Sequence, residues 1–463
     1  MAQREGKEAY ERGLQQGSVD RYVGFELQKY LLQLILHPLR TWRHFLSRPS
    51  GRLFLFYAGL NFILGFAGAS GFFASNALLL GAGGPQAMRP AYAVSATGSI
   101  VLAGLIYLIA SKIDYRKLLR NSLFALACIG LVFGLGLGPH PENLALTFSL
   151  RIFMFIAIFW IHLLFWNAVG SLFSNLESKR YFPLFIVAEI LGEVMGSLGL
   201  EFGSRVLPAH AYCFVFSTLV VFGAAAFRFH PRFEKNIGKT SAEVDSLKES
   251  SFWNRGSWIL ASTAFSFWCA YSFISSGMDL IFNQIALENF GSGNSLTAYL
   301  GAIAFFGNSA VLLYQTFFSE SLSLRFGVTR SLTAISWAGS ACLALFLIHP
   351  NLRTAELSQQ TLFFFVDFAA IALFSSMMSL VPASQRSRWL ALTEGIGRPL
   401  GCFLLLALPV GGNLTDTLAV YRIPLFAGLL FMAAIPIPFA WIYRRHLREH
   451  LSSSDQDLKK NVV

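Results

Sequence analysis

Glu189-Ile-Leu-Gly192-Glu193-Val-Met-Gly196 sets two carboxylates one helical turn apart inside an otherwise apolar run. The pattern returns 205 positions later as Glu394-Gly-Ile-Gly397-Arg398-Pro-Leu-Gly401, with the second charge switched from acid to base. An ionised side chain at the bilayer centre costs about 3 kcal/mol or more, and persists only when paired or turned toward a watery cavity. Glycines four residues apart let a neighbouring helix come close. A duplicated motif with these properties predicts two related halves around a polar path.

The rest of the chain fits a membrane setting. Of its 463 residues, 54% are hydrophobic and 13% charged, and the mean hydropathy is +0.54. A soluble protein carries about 25% charged residues, so the apolar surplus must face lipid. The net charge of +11 does not mark a nucleic-acid binder, because the basic residues lie between apolar runs rather than on one domain.

Apolar runs long enough to cross a bilayer recur at about 53–78, 90–111, 121–138, 144–167, 181–203, 209–228, 256–281, 295–318, 331–348, 361–381, 389–410 and 420–443. Taking alternate connections from the N-terminus, 30 Lys and Arg fall on one side and only Arg89, Arg205, Arg353 and Arg422 on the other. Basic residues gather on the cytoplasmic side, which puts both termini there. The expected class is an all-α polytopic membrane protein of about 12 transmembrane helices in two pseudo-symmetric six-helix bundles. Residues 1–50 read as an interfacial amphipathic segment, 51–228 as the first bundle and 229–255 as a cytoplasmic linker. Residues 256–443 read as the second bundle and 444–463 as a cytoplasmic tail.

Several chemistries find no support. The linker holds Gly238-Lys239-Thr240, but Phe233 stands where a phosphate-binding loop needs its first glycine. The nine histidines are scattered without metal-ligand spacing, and no nucleophile-base arrangement stands out. Cys128, Cys213, Cys269, Cys342 and Cys402 all lie in apolar segments, as small core residues do. The expectation is no enzyme, no cofactor, no metal and no nucleic acid, with a small solute and the lipid bilayer as partners.

Charges inside the spans mark the candidate path. At about 1.5 Å per residue across about 30 Å of hydrocarbon, Arg151 lies about 10 Å from the outer face and Glu193 at mid-membrane. Adjacent spans then predict an Arg151–Glu193 pair, mirrored by Asp367 and Arg398 in the second half. Glu189 and Glu394 join this path, and Asn308 is expected to face it at mid-membrane. Asp279, Asn283 and Gln284 cluster at the outer end of the seventh span as an expected outer gate. His162 and Trp166 read as anchors at the inner interface, with a proton relay as the alternative for His162.

Two six-span halves joined by a cytoplasmic linker resemble the major facilitator superfamily. The basic loop Asp114-Tyr115-Arg116-Lys117, with Arg120, looks like that superfamily's loop motif, and Arg325-Phe-Gly327-Val-Thr-Arg330 occupies the equivalent place in the second half. Leu164-Phe165-Trp166 and Glu177-Ser178-Lys179-Arg180-Tyr181-Phe182-Pro183-Leu184-Phe185 are similar to the ATP/ADP antiporter family. So are Tyr299-Leu-Gly301 with Asn308 and Gln315, and Val381-Pro382 leading through Arg388 to Pro399-Leu400-Gly401. The resemblance implies a secondary transporter working by alternating access, in a bacterial inner membrane, on an anionic or zwitterionic solute such as a nucleotide or phosphorylated metabolite. It also implies a first-span lysine for phosphates, yet neither Lys nor Arg occurs between Arg52 and Arg89. The alternatives are a proton-coupled exporter of small amphiphiles, and a non-transporting sensor or enzyme on the same scaffold.

Overall fold

A computed structural model describes residues 49–109, 114–170, 172–173, 175–231, 255–318, 326–362, 389, 391–405, 408, 414–434, 436–438 and 440–441. The amphipathic segment 1–48, most of the linker and the tail lie outside these residues. The described residues are helical throughout, with no strand among them.

The first two expected spans are one long helix, α1 (Pro49–Ile109), bent at Gly84. Gly84 has φ 64° and ψ −173°, in the half of backbone space that side-chain-bearing residues avoid. Pro85 then opens the second arm, where its missing N–H costs nothing. The expected loop is therefore a single glycine. The arms fold back on each other, since Phe72 before the bend and Tyr92 after it meet the same guanidinium of Arg151.

Next come α2 (Tyr115–Leu137), α3 (Leu144–Gly170), α4 (Asn175–Gly203) and α5 (Tyr212–Ala226). Asp114 starts α2 by accepting hydrogen bonds from the Arg116 and Lys117 backbone N–H groups. Burial alone would raise its pKa, but the Arg116 guanidinium and those two N–H donors hold it below the usual value of 3.8.

The second half holds α6 (Arg255–Phe290), α7 (Asn294–Leu313, continuing as a π-helical turn Tyr314–Phe318) and α8 (Val328–Ile348). It ends with α9 (Leu352–Gln359), α10 (Gly397–Leu404, after a π-helical turn Ala391–Ile396) and α11 (Leu414–Ala434). Helix α9 begins earlier than the expected 361, because Asn351 caps it. The Asn351 side chain accepts from the Thr354 N–H at 3.0 Å, and Thr354 Oγ1 accepts from the Asn351 N–H at 3.2 Å.

Within the first half α1 lies along α3, α4 and α5, and α2 packs on α3 and α5. Within the second half α6 lies against α9, α10 and α11, and α8 packs on α9 and α11. The duplicated glycines explain the closest of these contacts. A Cβ added at Gly192 or Gly196 would run into the Phe62 or Phe66 carbonyl oxygen of α1. One added at Gly397 or Gly401 would meet the Phe265 or Cys269 carbonyl oxygen of α6. In each half, therefore, the motif seats the fifth span on the first span of that half. In lipid the gain comes from close van der Waals packing rather than from burying apolar surface.

One apolar core lies within the first half, around Tyr57, Leu60, Met154, Phe165 and Phe216. A second fills the other half around Trp268, Tyr271, Ile281 and Phe346, and takes in Leu80, Ile186 and Ile190 from α1 and α4. The halves thus meet where α4 lies along α7 and α1 along α6 and α10. Gly301 on α7 admits the α4 backbone, since a Cβ there would sit 2.8 Å from the Glu201 nitrogen.

The outside is apolar. Val132, Phe222 and Ile423 are 68%, 62% and 77% exposed, and such belts need a nonaqueous neighbour. Seven stretches of the described chain are long and apolar enough to cross a membrane. Helices α4 and α6 are not among the seven, although they contain 29 and 36 residues. They carry the polar residues considered next. The protein is an all-α, multi-pass integral membrane protein.

Candidate functional site

A cavity of about 260 Å³ lies between the halves. Asn61, Phe72 and Tyr92 of α1, Phe155 and His162 of α3, and Glu189 and Glu193 of α4 line one wall. Tyr271, Ser272, Ser275 and Ser276 of α6, Asn308 of α7, Gly395, and Arg398 and Cys402 of α10 line the other. Glu189, Glu193, Asn308 and Arg398, which the sequence singled out separately, share this one space.

Glu189 is held from two sides. The Asn61 amide donates to Glu189 Oε2 at 3.1 Å and to the Phe185 carbonyl at 3.0 Å. His162 Nδ1 lies 3.3 Å from Glu189 Oε1. An ionised carboxylate only accepts hydrogen bonds, so the imidazole N–H donates in that state. His162 is therefore a cavity residue rather than an interfacial anchor. It sits 26% exposed, with Trp166 edge-on at 6.0 Å between ring centres.

Arg398 reaches the cavity with its guanidinium 4.9 Å from the centre of the Trp268 ring. The Cys402 thiol lies 3.0 Å from the Ser276 hydroxyl and 3.4 Å from that of Ser272. The Asn308 side chain is buried, and its carbonyl oxygen has no hydrogen-bond partner.

The expected Arg151–Glu193 pair does not form. Arg151 is 1% exposed, and none of its three guanidinium nitrogens has a hydrogen-bond partner among the described residues. Its carbon Cζ lies instead 4.2, 5.3 and 5.6 Å from the ring centres of Phe72, Tyr92 and Phe155. Those rings also line the cavity, so the cation stands just behind an aromatic wall. Cation–π attraction supplies about 0.5–2 kcal/mol per ring in such places, which keeps the charge without a carboxylate. Asp367, its expected counterpart in the second half, lies outside the described residues, as does the Glu394 side chain.

Tyr92 has a second task. Its hydroxyl donates to Asp279 Oδ2, while the Gln359 amide donates to Asp279 Oδ1 at 2.7 Å. Asp279 on α6 thus ties α1 of the first half to α9 of the second. Asn283 borders the same small gap between Phe72, Phe73 and Gln359. Gln284 does not join them; it is buried and reaches along its own helix to Glu288 at 3.4 Å.

Solved structures share this fold. The human organic anion transporter MFSD10 (TETRAN) is 13% identical, with a TM-score of 0.58, over 85% of this chain and 99% of its own. The nucleoside transporter NupG is 14% identical, with a TM-score of 0.53, over 84% of this chain and 99% of its own. The chain shares the fold of these two transporters. No protein-family model matches the chain, and no curated protein sequence does.

The residues that sequence reasoning passed over are those whose partners are remote. Asn61 is a lone amide in an apolar span, and its partner Glu189 is 128 positions away. The cavity face of α6 did leave a signal, since Ser272, Ser275 and Ser276 fall at helical spacing one turn apart.

Proposed function

We propose that the protein is a secondary transporter that moves a small anionic or zwitterionic solute by alternating access. The observation that carries this is the cavity between the halves, whose largely apolar wall carries charges of both signs. Ionised groups at that depth are expensive, and a binding role explains their cost. The tie from Tyr92 to Asp279 to Gln359 closes one end of the path, on the side of the Gly84 bend. The Lys and Arg distribution assigns that side to the exterior, with the termini in the cytoplasm of a bacterial cell.

The lining also narrows the solute. A space of about 260 Å³ lies just below the roughly 300–1,000 Å³ of drug-sized pockets. Arg398 suits one carboxylate or phosphate, Glu189 and Glu193 suit a cationic group, and Phe72, Phe155 and Phe159 suit an apolar body. A nucleoside triphosphate asks for several cations, and Arg398 is the only arginine or lysine among the described lining residues. A monovalent organic anion or a zwitterion with an aromatic part fits better. The aromatic wall also favours a second reading, the export of small amphiphiles.

The test is ligand-dependent thermal stability of the purified protein, with amino acids, monocarboxylates, nucleosides, nucleotides and sugar phosphates at two pH values. A ligand at 100 times its dissociation constant stabilises by about 2.7 kcal/mol. A shift with aromatic zwitterions or monoanions is the expected result. A shift only with amphiphilic amines selects the second reading, and no shift with any member overturns the first.

A further inference from the structure

We propose that the His162–Glu189 pair is a proton-binding site, and that the proton is the ion that drives the solute. This rests on the transporter reading above and names its coupling ion. The pair lies within the cavity rather than at the lipid boundary, and it joins a histidine, the side chain that changes charge near neutral pH, to a carboxylate that holds its ring in place. Before a proton arrives, the imidazole Nδ1–H donates to the Glu189 carboxylate and the pair carries one negative charge. The arriving proton takes the lone pair of Nε2, no bond breaks, and imidazolium and carboxylate then sum to zero. Asn61 holds the other carboxylate oxygen in both states, so the change is one of charge rather than of position.

Among the described residues, the other charged and titratable groups facing this cavity are Glu193 one turn along α4, Tyr92 of α1, Tyr271 of α6, and Arg398 and Cys402 of α10. Arg151 of α3 lies behind the aromatic wall. With the pair at minus one, Glu193 and Arg398 offset each other, Arg151 offsets the pair, and the sum is zero. With the pair neutral, Arg398 and the concealed Arg151 dominate, and an anionic group is drawn in. Proton and anion therefore load together. An alkali cation is a poorer fit, because a ring nitrogen occupies one side of the carboxylate.

The test needs no solute. The full-length protein is reconstituted in phosphatidylethanolamine–phosphatidylglycerol vesicles adsorbed on a solid-supported membrane, and a step from pH 8 to pH 6 is applied. A transient charge displacement is expected, reduced at least tenfold in Glu189→Gln and either lost or shifted by at least one pH unit in His162→Gln. His349→Gln, at the far end of α8, should leave it unchanged. The Trp166 ring beside His162 gives a second readout. Its emission should fall as the imidazole gains charge, and that pH dependence should vanish in His162→Gln, which carries the test if Glu189→Gln does not fold. Full-sized displacement in both variants overturns the site, and so does displacement on a sodium step but not on a pH step. Displacement that depends on both residues, with no solute bound in the stability panel, leaves the proton site standing and removes the solute reading.

Discussion

Gly196→Ala tests the seam between α1 and α4, and its cost can be worked from distance. The new Cβ would stand 2.5 Å from the Phe66 carbonyl oxygen, whereas ordinary contact begins near 3.5 Å. The obstacle is backbone on both sides, so no side chain can turn away, and the helices must part by about 1 Å. A gap of that size forfeits about a quarter to a half of each contact's dispersion energy along the seam, and overpacking of this kind costs about 1–3 kcal/mol. The same parting would carry the Asn61–Glu189 hydrogen bond from 3.1 Å to about 4 Å, beyond hydrogen-bond range. The assay is thermal unfolding in detergent, with Gly59→Ala as control. Gly59 lies on the same α1 helix with nothing within 4 Å of its Cβ position. Alanine there should be neutral or stabilise by up to about 1 kcal/mol. Gly401→Ala, whose Cβ would meet the Cys269 carbonyl of α6, should behave as Gly196→Ala does. If Gly196→Ala proves as stable as Gly59→Ala, the close seam is refuted.

Arg151→Met should raise the melting temperature, because an apolar side chain of similar length relieves an unpaired buried charge worth about 1–4 kcal/mol. It should also abolish solute binding in the stability panel, and retained binding would reduce Arg151 to packing. Tyr92→Phe removes the α1 arm of the tie to Asp279 and leaves its carboxylate with one fewer donor, at a cost of about 1–3 kcal/mol. A cysteine at Ser275 in that variant should then react faster with a membrane-impermeant thiol reagent applied from the Gly84 side; an unchanged rate would mean that the tie does not close the path. Asp114→Ala should lose about 1 kcal/mol at neutral pH through the missing N-cap of α2. Because folding lowers the Asp114 pKa, its contribution is present above the usual carboxylate value and fades as the pH falls through the folded one. The difference between variant and parent should therefore persist down to about pH 4 and shrink below it.

Hydropathy and the Lys/Arg alternation made the helical passes legible, since both follow from the cost of polar groups in hydrocarbon. The glycine duplication was legible for the same kind of reason. Gly192, Gly196, Gly397 and Gly401 each mark a place where only hydrogen fits against a neighbouring carbonyl. The partner of Arg151 was not legible. Counting residues along a helix gives depth, and Arg151 and Glu193 do share a depth range, but it does not give the direction in which each side chain points. Arg151 turns to Phe72, Tyr92 and Phe155 instead. Tyr92 and Asp279 are 187 positions apart, and nothing local to either residue announces the other. His162 was read by its nearness to a span end, whereas the fold brings Glu189, 27 positions away, to within 3.3 Å of it.

Helices α4 and α6 are too polar to count among the seven self-sufficient spans, and this bears on how the chain is made. An acidic residue at the centre of a helix adds about 2.5–3.5 kcal/mol to the cost of leaving the translocon. Glu189 and Glu193 together therefore tax α4 heavily, and Asp279 taxes α6. Neither should partition into lipid when it first emerges from the ribosome. Each must wait at the exit for company: α4 for the Asn61 and His162 already delivered on α1 and α3, and α6 for the Gln359 still to be synthesised on α9. The order of synthesis would then make α6 settle after α7 and α8, although it precedes both in the chain.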